Sequence, residues 1–279
     1  MLRSELERFI GEDLGEWDDS STLIPDLPVR AVIIAKEECI ISGLAEAEEI
    51  FQYFGLKADL LFDDGEFAPL GSTVLEVSGS ARKILQAERL VLNFLARMSG
   101  ISTLTRNCVL LAGGVRVAAT RKTTPGFRLF EKRAVYLGGG DPHRFNLSAA
   151  VLIKDNHIKI LGLSECLRRA RELTSFTKKI EVEVESLEDM LIAAREGADI
   201  IMFDNMGPDE IARGVGLLER EGLRDKLILE ASGGITLDNI TEYKASGVDV
   251  ISLGALTRNA RWIDLSLEMK NNGDKNADS

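Results

Sequence analysis

The chain has 279 residues, 45% of them hydrophobic, and a net charge of −11. That fits one large or two ordinary globular domains with a sizeable core. No apolar run approaches the roughly eighteen residues of a membrane span, the charged N-terminus lacks a signal-peptide core, and acidity spread along the chain argues against nucleic acid. 

Residues 1–103 show a mixed pattern. Residues 31–43 read as strand material, with Val32, Ile33 and Ile34, then Ile40 and Ile41, closed by Gly43. Helical spacing follows over 45–54, and residues 58–80 read as short strands broken at Asp64-Gly65, Pro69 and Gly71. From Ala81 the apolar positions Ile84, Leu85, Leu92, Leu95 and Met98 predict a long helix, interrupted near Ser99-Gly100. After Gly114, strands are expected at 115–118, 151–153, 179–184, 200–203, 227–229 and 248–253. Helices are expected between them at 164–173, 187–195, 208–221 and 237–245. Ser164 and Ser186 can cap, and Pro208 suits a first turn. Repeated βα units imply a parallel sheet. Six or seven of them predict an incomplete α/β barrel over 104–270, with a doubly wound open sheet as the alternative. A helix over 261–270 is expected to pack back on the first domain, and 271–279 reads as a polar tail. Cys39, Cys108 and Cys166 are odd in number and far apart. They match neither a disulfide framework nor a C-x-x-C metal site, and a cytoplasmic location is expected.

Charge distribution is more informative than the total. Arg116, Arg121, Lys122, Arg128, Lys132, Arg133, Arg144 and Lys154 cluster in one segment, opposed only by Glu131 and Asp141, and both histidines, His143 and His157, fall in or just after it. Such a surplus in an acidic protein points to an anionic ligand. Polar residues also collect after each barrel strand: Thr120-Arg121-Lys122, Lys154-Asp155-Asn156-His157, Glu183 with Glu185, Asp204-Asn205, Glu230 to Gly234, and Gly254-Ala255. A barrel converges these ends on one rim. The alternating Glu181, Glu183 and Glu185 share a strand face, and buried carboxylates there need a partner or a metal. Glu183 and Asp204, expected at similar depth on adjacent strands, could hold Mg²⁺ or ribose hydroxyls. Ser232-Gly233-Gly234 leads toward a helix, and Gly254-Ala255 repeats the device one strand later, as expected of a phosphate site. Gly138-Gly139-Gly140 is not a Walker motif. It reads as a flexible loop, or as glycines that let His143 and Arg144 approach a ligand.

These residues resemble the quinolinate phosphoribosyltransferase family (nicotinate-nucleotide pyrophosphorylase, carboxylating). The resemblance is carried by Thr120 to Gly126, Glu131-Lys132, Gly138 to Gly140, His143-Arg144 and Leu152 to His157. Glu88-Arg89, Leu92-Asn93 and Ser99 to Ile101 carry it upstream; Glu181 to Val184, Phe203 to Asn205, Glu230 to Gly234 and Gly254 to Leu256 carry it downstream. The resemblance implies an N-terminal α/β sandwich followed by an incomplete α/β barrel. It implies a homodimer whose sites are each completed by Arg89 of the partner subunit. It also implies the reaction: quinolinate and phosphoribosyl pyrophosphate give nicotinate mononucleotide, pyrophosphate and CO₂, with Mg²⁺. Carried over by position, Arg89, Thr120, Arg121, Lys122, His143, Arg144, Lys154, Glu183 and Asp204 would bind substrate. Lys122, Glu183 and Asp204 would act in catalysis, the last two also beside the metal. Ser232, Gly233, Gly234, Leu253, Gly254 and Ala255 would bind the 5′-phosphate. Three places depart from the family pattern: Ala119 stands for a frequent aspartate, Asp141-Pro142 for a pair ending in asparagine, and Phe145-Asn146-Leu147 for a form with glycine. The rival readings are a nicotinate-specific transferase, the related group linked to molybdenum transport, and a non-catalytic phosphate-ligand binder.

Overall fold

The computed structural model describes residues 1–16 and 18–270, so the expected tail at 271–279 lies outside the described residues. In chain order the elements are α1 (Arg3–Leu14), β1 (Pro28–Ala35), β2 (Cys39–Ile40), α2 (Leu44–Tyr53), β3 (Lys57–Leu60), β4 (Phe67–Ala68), β5 (Thr73–Ser80) and α3 (Ala81–Ala112). Next come β6 (Arg116–Ala118), α4 (Arg128–Leu137), β7 (Val151–Ile153), α5 (Asp155–Leu161), α6 (Leu163–Leu173), β8 (Ile180–Val184), α7 (Leu187–Arg195) and β9 (Ile200–Asp204). The last are α8 (Pro208–Arg220), β10 (Ile228–Ser232), α9 (Ile240–Ala245), β11 (Val250–Ser252), α10 (Ala255–Arg258) and β12 (Leu265–Lys270). Among the described residues no helix is long and apolar enough to cross a membrane. The chain divides into two compact units, Met1–Leu104 with Ala260–Ser279, and Thr105–Asn259.

The first unit holds an antiparallel sheet in the order β12-β1-β5-β3 and a two-stranded pair β2-β4. Its helix α3 runs without a break, although Ser99-Gly100 reads as an interruption. Ser99 is buried, and its hydroxyl accepts from Ser42 N–H at 3.0 Å. A Cβ on Gly100 would collide with the Arg261 carbonyl. The pair is therefore a packing notch, and a helix tolerates one glycine for about 1 kcal/mol. Residues 261–270 correct a second expectation. They end in strand β12, not a helix, in register with β1 from Ala35↔Leu265 to Arg30↔Lys270. Leu265, Leu267 and Met269 alternate with period two, and the free edge of β1 offers a hydrogen-bond ladder that a helix could not use.

The second unit holds one parallel sheet in the order β6-β11-β10-β9-β8-β7. Five parallel pairings link neighbours, while β6 and β7, consecutive in the chain, stand at opposite edges. This is an incomplete α/β barrel with its seam between those two strands. Ile180, Val182 and Val184 are fully buried along β8, each worth about 1.5–3 kcal/mol relative to exposure. Helix α7 begins where expected, with the Ser186 hydroxyl accepting from Asp189 N–H at 3.1 Å. Pro208 opens α8 at its first turn, and Ile211, Val215 and Leu218 bury one stripe of that helix. Ser164 is no cap: α6 starts at Leu163, with Gly162 (φ 80) as the break from α5, and the Ser164 hydroxyl donates to Glu196 at 2.6 Å.

Candidate active site

The C-terminal ends of the barrel strands surround a cavity of about 500 Å³, lined by Thr120, Arg121, Lys122, His143, Arg144, Lys154, Glu183, Asp204 and Ser232. Nine expected site residues thus meet in one place. A second cavity of about 340 Å³ reaches the opposite strand ends at Arg116, Lys179, Ile200, Ile228 and Val250, and shares His143, Arg144 and Glu230 with the first.

Helix α4 grips the basic segment from below. Glu131, wholly buried, accepts from Thr124 N–H at 3.0 Å and from the Thr124 hydroxyl at 2.9 Å. Lys132, 3% exposed, donates to the Pro142 carbonyl. Burial, reinforced by Arg128, Arg121 and Arg144, pushes its pKa down to about 8. Lys122 is held from the other side, its carbonyl accepting the Thr257 hydroxyl at 2.7 Å. Its stem crosses Gly254, where a Cβ would lie 3.1 Å from Lys122 Cδ.

His143 and Arg144 arrive through the seam. Asp141 forms an isolated parallel bridge with Ala118: Asp141 N–H donates to Val117 at 2.7 Å, and Ala119 N–H donates to the Asp141 carbonyl at 2.8 Å. A one-residue strand therefore lies beside β6 where a closed barrel would have another strand. The glycine run serves this route. Gly139 takes φ 93 after α4, and a Cβ on buried Gly140 would sit 2.7 Å from Thr105 Cγ2 and 2.9 Å from Val135 Cγ1. Only glycine lets the backbone pass between those side chains.

His143 has φ 56, and its N–H donates to Asp141 Oδ1 at 2.7 Å. Its Nε2 lies 3.3 Å from Glu230 Oε2 and 3.7 Å from Glu181 Oε1, both glutamates being almost fully buried. Burial opposes a charge on the ring, but the two carboxylates outweigh it and push the pKa up to about 10. The Arg144 N–H works the other way, donating to Nδ1 at 2.8 Å, which requires a lone pair there. Burial also raises the Glu181 pKa; the nearby Glu230 carboxylate adds to this, while His143 and Arg144 oppose it. Burial and the neighbouring Arg121 hold Arg144 below its ordinary range.

Glu183 is ion-paired with Lys154. The register sets Glu183 opposite Met202, so Asp204 lies one strand repeat beyond it and not at the same depth. Both face the cavity, because residues two apart share a strand face. At the end of β10, Gly233 (φ 91) packs on Asn205, whose N–H donates to the Ser232 carbonyl at 2.9 Å. No helix starts directly after this turn: α9 begins only at Ile240. After β11, by contrast, α10 begins at Ala255, directly following Leu253 and Gly254. Arg89 belongs to the first unit, exposed on α3. Sequence reasoning missed the roles of Glu230, beside His143, and Thr257, on the Lys122 carbonyl. Glu230 carried a signal, since a carboxylate inside an apolar strand needs a partner.

Two family models match: quinolinate phosphoribosyl transferase, N-terminal domain, over residues 19–99, and the C-terminal domain of the same family over residues 101–268. The chain belongs to the quinolinate phosphoribosyl transferase family. It is 46% identical over 272 residues to the probable nicotinate-nucleotide pyrophosphorylase [carboxylating] of Methanothermobacter thermautotrophicus, covering 95% of this chain and 98% of that one. It is 38% identical over 247 residues to the human nicotinate-nucleotide pyrophosphorylase [carboxylating], covering 87% and 82%. The solved nicotinate-nucleotide pyrophosphorylase from Francisella tularensis superposes with a TM-score of 0.90 at 36% identity, covering 95% and 94%. Ala119, Asp141 and Asn146, at the positions that the sequence resemblance implies depart from the family pattern, make local contacts. Asp141 accepts the His143 N–H that fixes the turn. Asn146 Oδ1 accepts from Ser148 N–H at 3.0 Å. Ala119 is buried and bridges to Asp141 through its backbone.

Proposed function

We propose that this quinolinate phosphoribosyl transferase family member transfers the phosphoribosyl group of phosphoribosyl pyrophosphate to quinolinate. The products are nicotinate mononucleotide, pyrophosphate and CO₂, in NAD synthesis. One observation carries the reading. Arg121 faces a cavity lined also by Lys122, Arg144 and Lys154, and its buried Nε has no hydrogen-bond partner among the described residues. A buried donor of that kind costs about 1–3 kcal/mol until an acceptor fills it. Two adjacent carboxylates on a pyridine ring supply that acceptor and need several cations once desolvated.

The chemistry follows from the layout. The pyridine nitrogen attacks the anomeric carbon as the bond to pyrophosphate breaks. Positive charge builds on the ribose, which Glu183 and Asp204 face, and negative charge builds on the leaving group, which Lys122 meets. Glu183 on β8 and Asp204 on β9 both bring hard carboxylate oxygens to the cavity, a set that fits Mg²⁺. When bound, Mg²⁺ would neutralise pyrophosphate oxygens there. A substrate carboxylate arriving at Lys154 takes over its charge and frees Glu183 for the ribose. After transfer, the carbon–carbon bond to the carboxylate beside the ring nitrogen breaks. Its electron pair stays on the ring carbon, stabilised by the pyridinium, and that carbon then takes a proton. The backbone of Ser232 to Gly234 and Leu253 to Ala255 supports a 5′-phosphate site.

The same reading makes the chain a homodimer in which Arg89 of the partner subunit joins the carboxylate site. It also places the protein in the cytoplasm, where three free, buried cysteines stay reduced. The test is CO₂ release from carboxyl-labelled quinolinate with phosphoribosyl pyrophosphate and Mg²⁺. Turnover of nicotinate but not of quinolinate would overturn the reading.

A further inference from the structure

Glu181 and Glu230 have no part in the chemistry above, yet both carboxylates are turned into the barrel interior. They stand on β8 and β10, are 1% and 2% exposed, and each keeps one oxygen, Oε1, without a hydrogen-bond partner among the described residues. His143 Nε2 is their common neighbour, at 3.7 and 3.3 Å.

A chelated cation is the first alternative, since the three donor atoms lie within 4.8 Å of one another. The far side of the ring argues against it. A metal on Nε2 needs the lone pair there, so the ring proton must sit on Nδ1. A ligating histidine normally donates that proton to a neighbour. Here Nδ1 faces a donor instead, the Arg144 N–H at 2.8 Å. The geometry suits a ring whose Nε2–H points to Glu230 Oε2 at 3.3 Å, with the Glu181 carboxylate beside it at ion-pair distance, 3.7 Å.

We propose that Glu181 and Glu230 are positioning residues for quinolinate. They pin the His143 ring against the barrel floor, and through the Nδ1 contact and the shared turn they set the direction in which Arg144 leaves the backbone. The inference rests on the assignment of His143 and Arg144 to the quinolinate carboxylates. Three observations support it. His143 holds a positive φ of 56, a conformation that costs a residue with a side chain about 1–2 kcal/mol and persists only when surrounding contacts impose it. Those contacts are Asp141 on its N–H, the glutamates on Nε2 and Arg144 on Nδ1. Among the described residues the Arg144 guanidinium makes a single hydrogen bond, a long one to the Ala150 carbonyl at 3.4 Å, so its aim depends strongly on the backbone beneath it. Finally, the segment is anchored at the seam by the bridge at Asp141 and not by a full strand, so its precision must come from side chains.

The experiment compares KM for each substrate in the full-length protein and in the variants Glu181→Ala, Glu230→Ala, Glu181→Gln and Glu230→Gln. The alanine variants should raise KM for quinolinate about tenfold or more, the scale of lost outer contacts at built sites. KM for phosphoribosyl pyrophosphate should stay within about twofold, a split that general structural damage does not produce. The glutamine variants keep an acceptor oxygen and should recover most of the loss. If the alanine variants do not fold, Glu181→Asp, which draws the acceptor back by one methylene, should show the same split. Equal loss for both substrates, or unchanged quinolinate KM, overturns the proposal. A wild-type protein that does not use quinolinate sinks the proposed function itself; a wild type that does, with unaffected variants, sinks only this inference.

Discussion

Replacing Gly233 with alanine should cost far more than the same change one residue later. Gly233 and Gly234 both have positive φ, 91 and 63, so either substitution carries about 1–2 kcal/mol of backbone strain. Their surroundings differ. A Cβ on Gly234 meets nothing within 4 Å, whereas one on Gly233 lies 2.6 Å from Asn205 Cγ and 2.8 Å from Asn205 N. That nitrogen cannot retreat cheaply, because it donates to the Ser232 carbonyl at 2.9 Å, and forced overpacking adds about 1–3 kcal/mol. The expected losses are therefore about 2–5 kcal/mol for Gly233→Ala and about 1–2 kcal/mol for Gly234→Ala. With each kcal/mol worth roughly 2–4 °C at this size, thermal melts of the two variants separate them. Gly233→Ala should also raise KM for phosphoribosyl pyrophosphate, since the turn is proposed to carry the 5′-phosphate. Equal melting shifts would refute the claim that Asn205 makes this position glycine-only.

Lys132 gives a pH test. Its folded pKa of about 8 lies below its ordinary 10.5, so between those values the unfolded chain holds the proton more tightly and stability rises with pH. Relative to Lys132→Met, the wild type should gain up to about 3 kcal/mol from pH 8 to 10.5 in urea unfolding; a flat difference would show that the buried charge is not penalised. Glu183→Gln should lower kcat about 100-fold or more with little change in KM, as removal of a charge acting in the transition state does, and parallel changes in both KM values would count against that role. Chelation should abolish turnover and added Mg²⁺ should restore it, whereas activity surviving exhaustive chelation would remove the metal from the reaction. Mixing Arg89→Ala with Arg121→Ala should recover part of the activity through hybrid dimers; no recovery despite demonstrated subunit exchange would refute a shared site.

Much of this was legible in the sequence because barrels obey simple rules. Apolar runs separated by helix-period segments located all six parallel strands, and polar residues following five of them, among them Arg121, Lys154, Glu183, Asp204 and Ser232, fell on one cavity. What stayed hidden depended on contacts distant in sequence. Ser99-Gly100 reads as a helix break until Ser42 and the Arg261 carbonyl fill the notch. Residues 265–270 become a strand because β1 offers an edge. Glu230 looked like part of a glycine-rich strand end, and only a histidine 87 residues away gives its carboxylate a purpose. The depth of Glu183 against Asp204 is a matter of register, which alternation alone does not specify.

The seam between β6 and β7 has a consequence for how the site can vary. Strand residues in a ladder constrain one another through every neighbouring pair. Residues 138–150 are held instead by one bridge, a few side-chain contacts and a glycine passage. Two of the three departures that the sequence resemblance implies, at Asp141-Pro142 and Phe145 to Leu147, fall in this stretch. It is the part of the wall that can be rewritten without disturbing the sheet, and so the natural place to alter which ring the pocket accepts while the sugar-phosphate side stays constant.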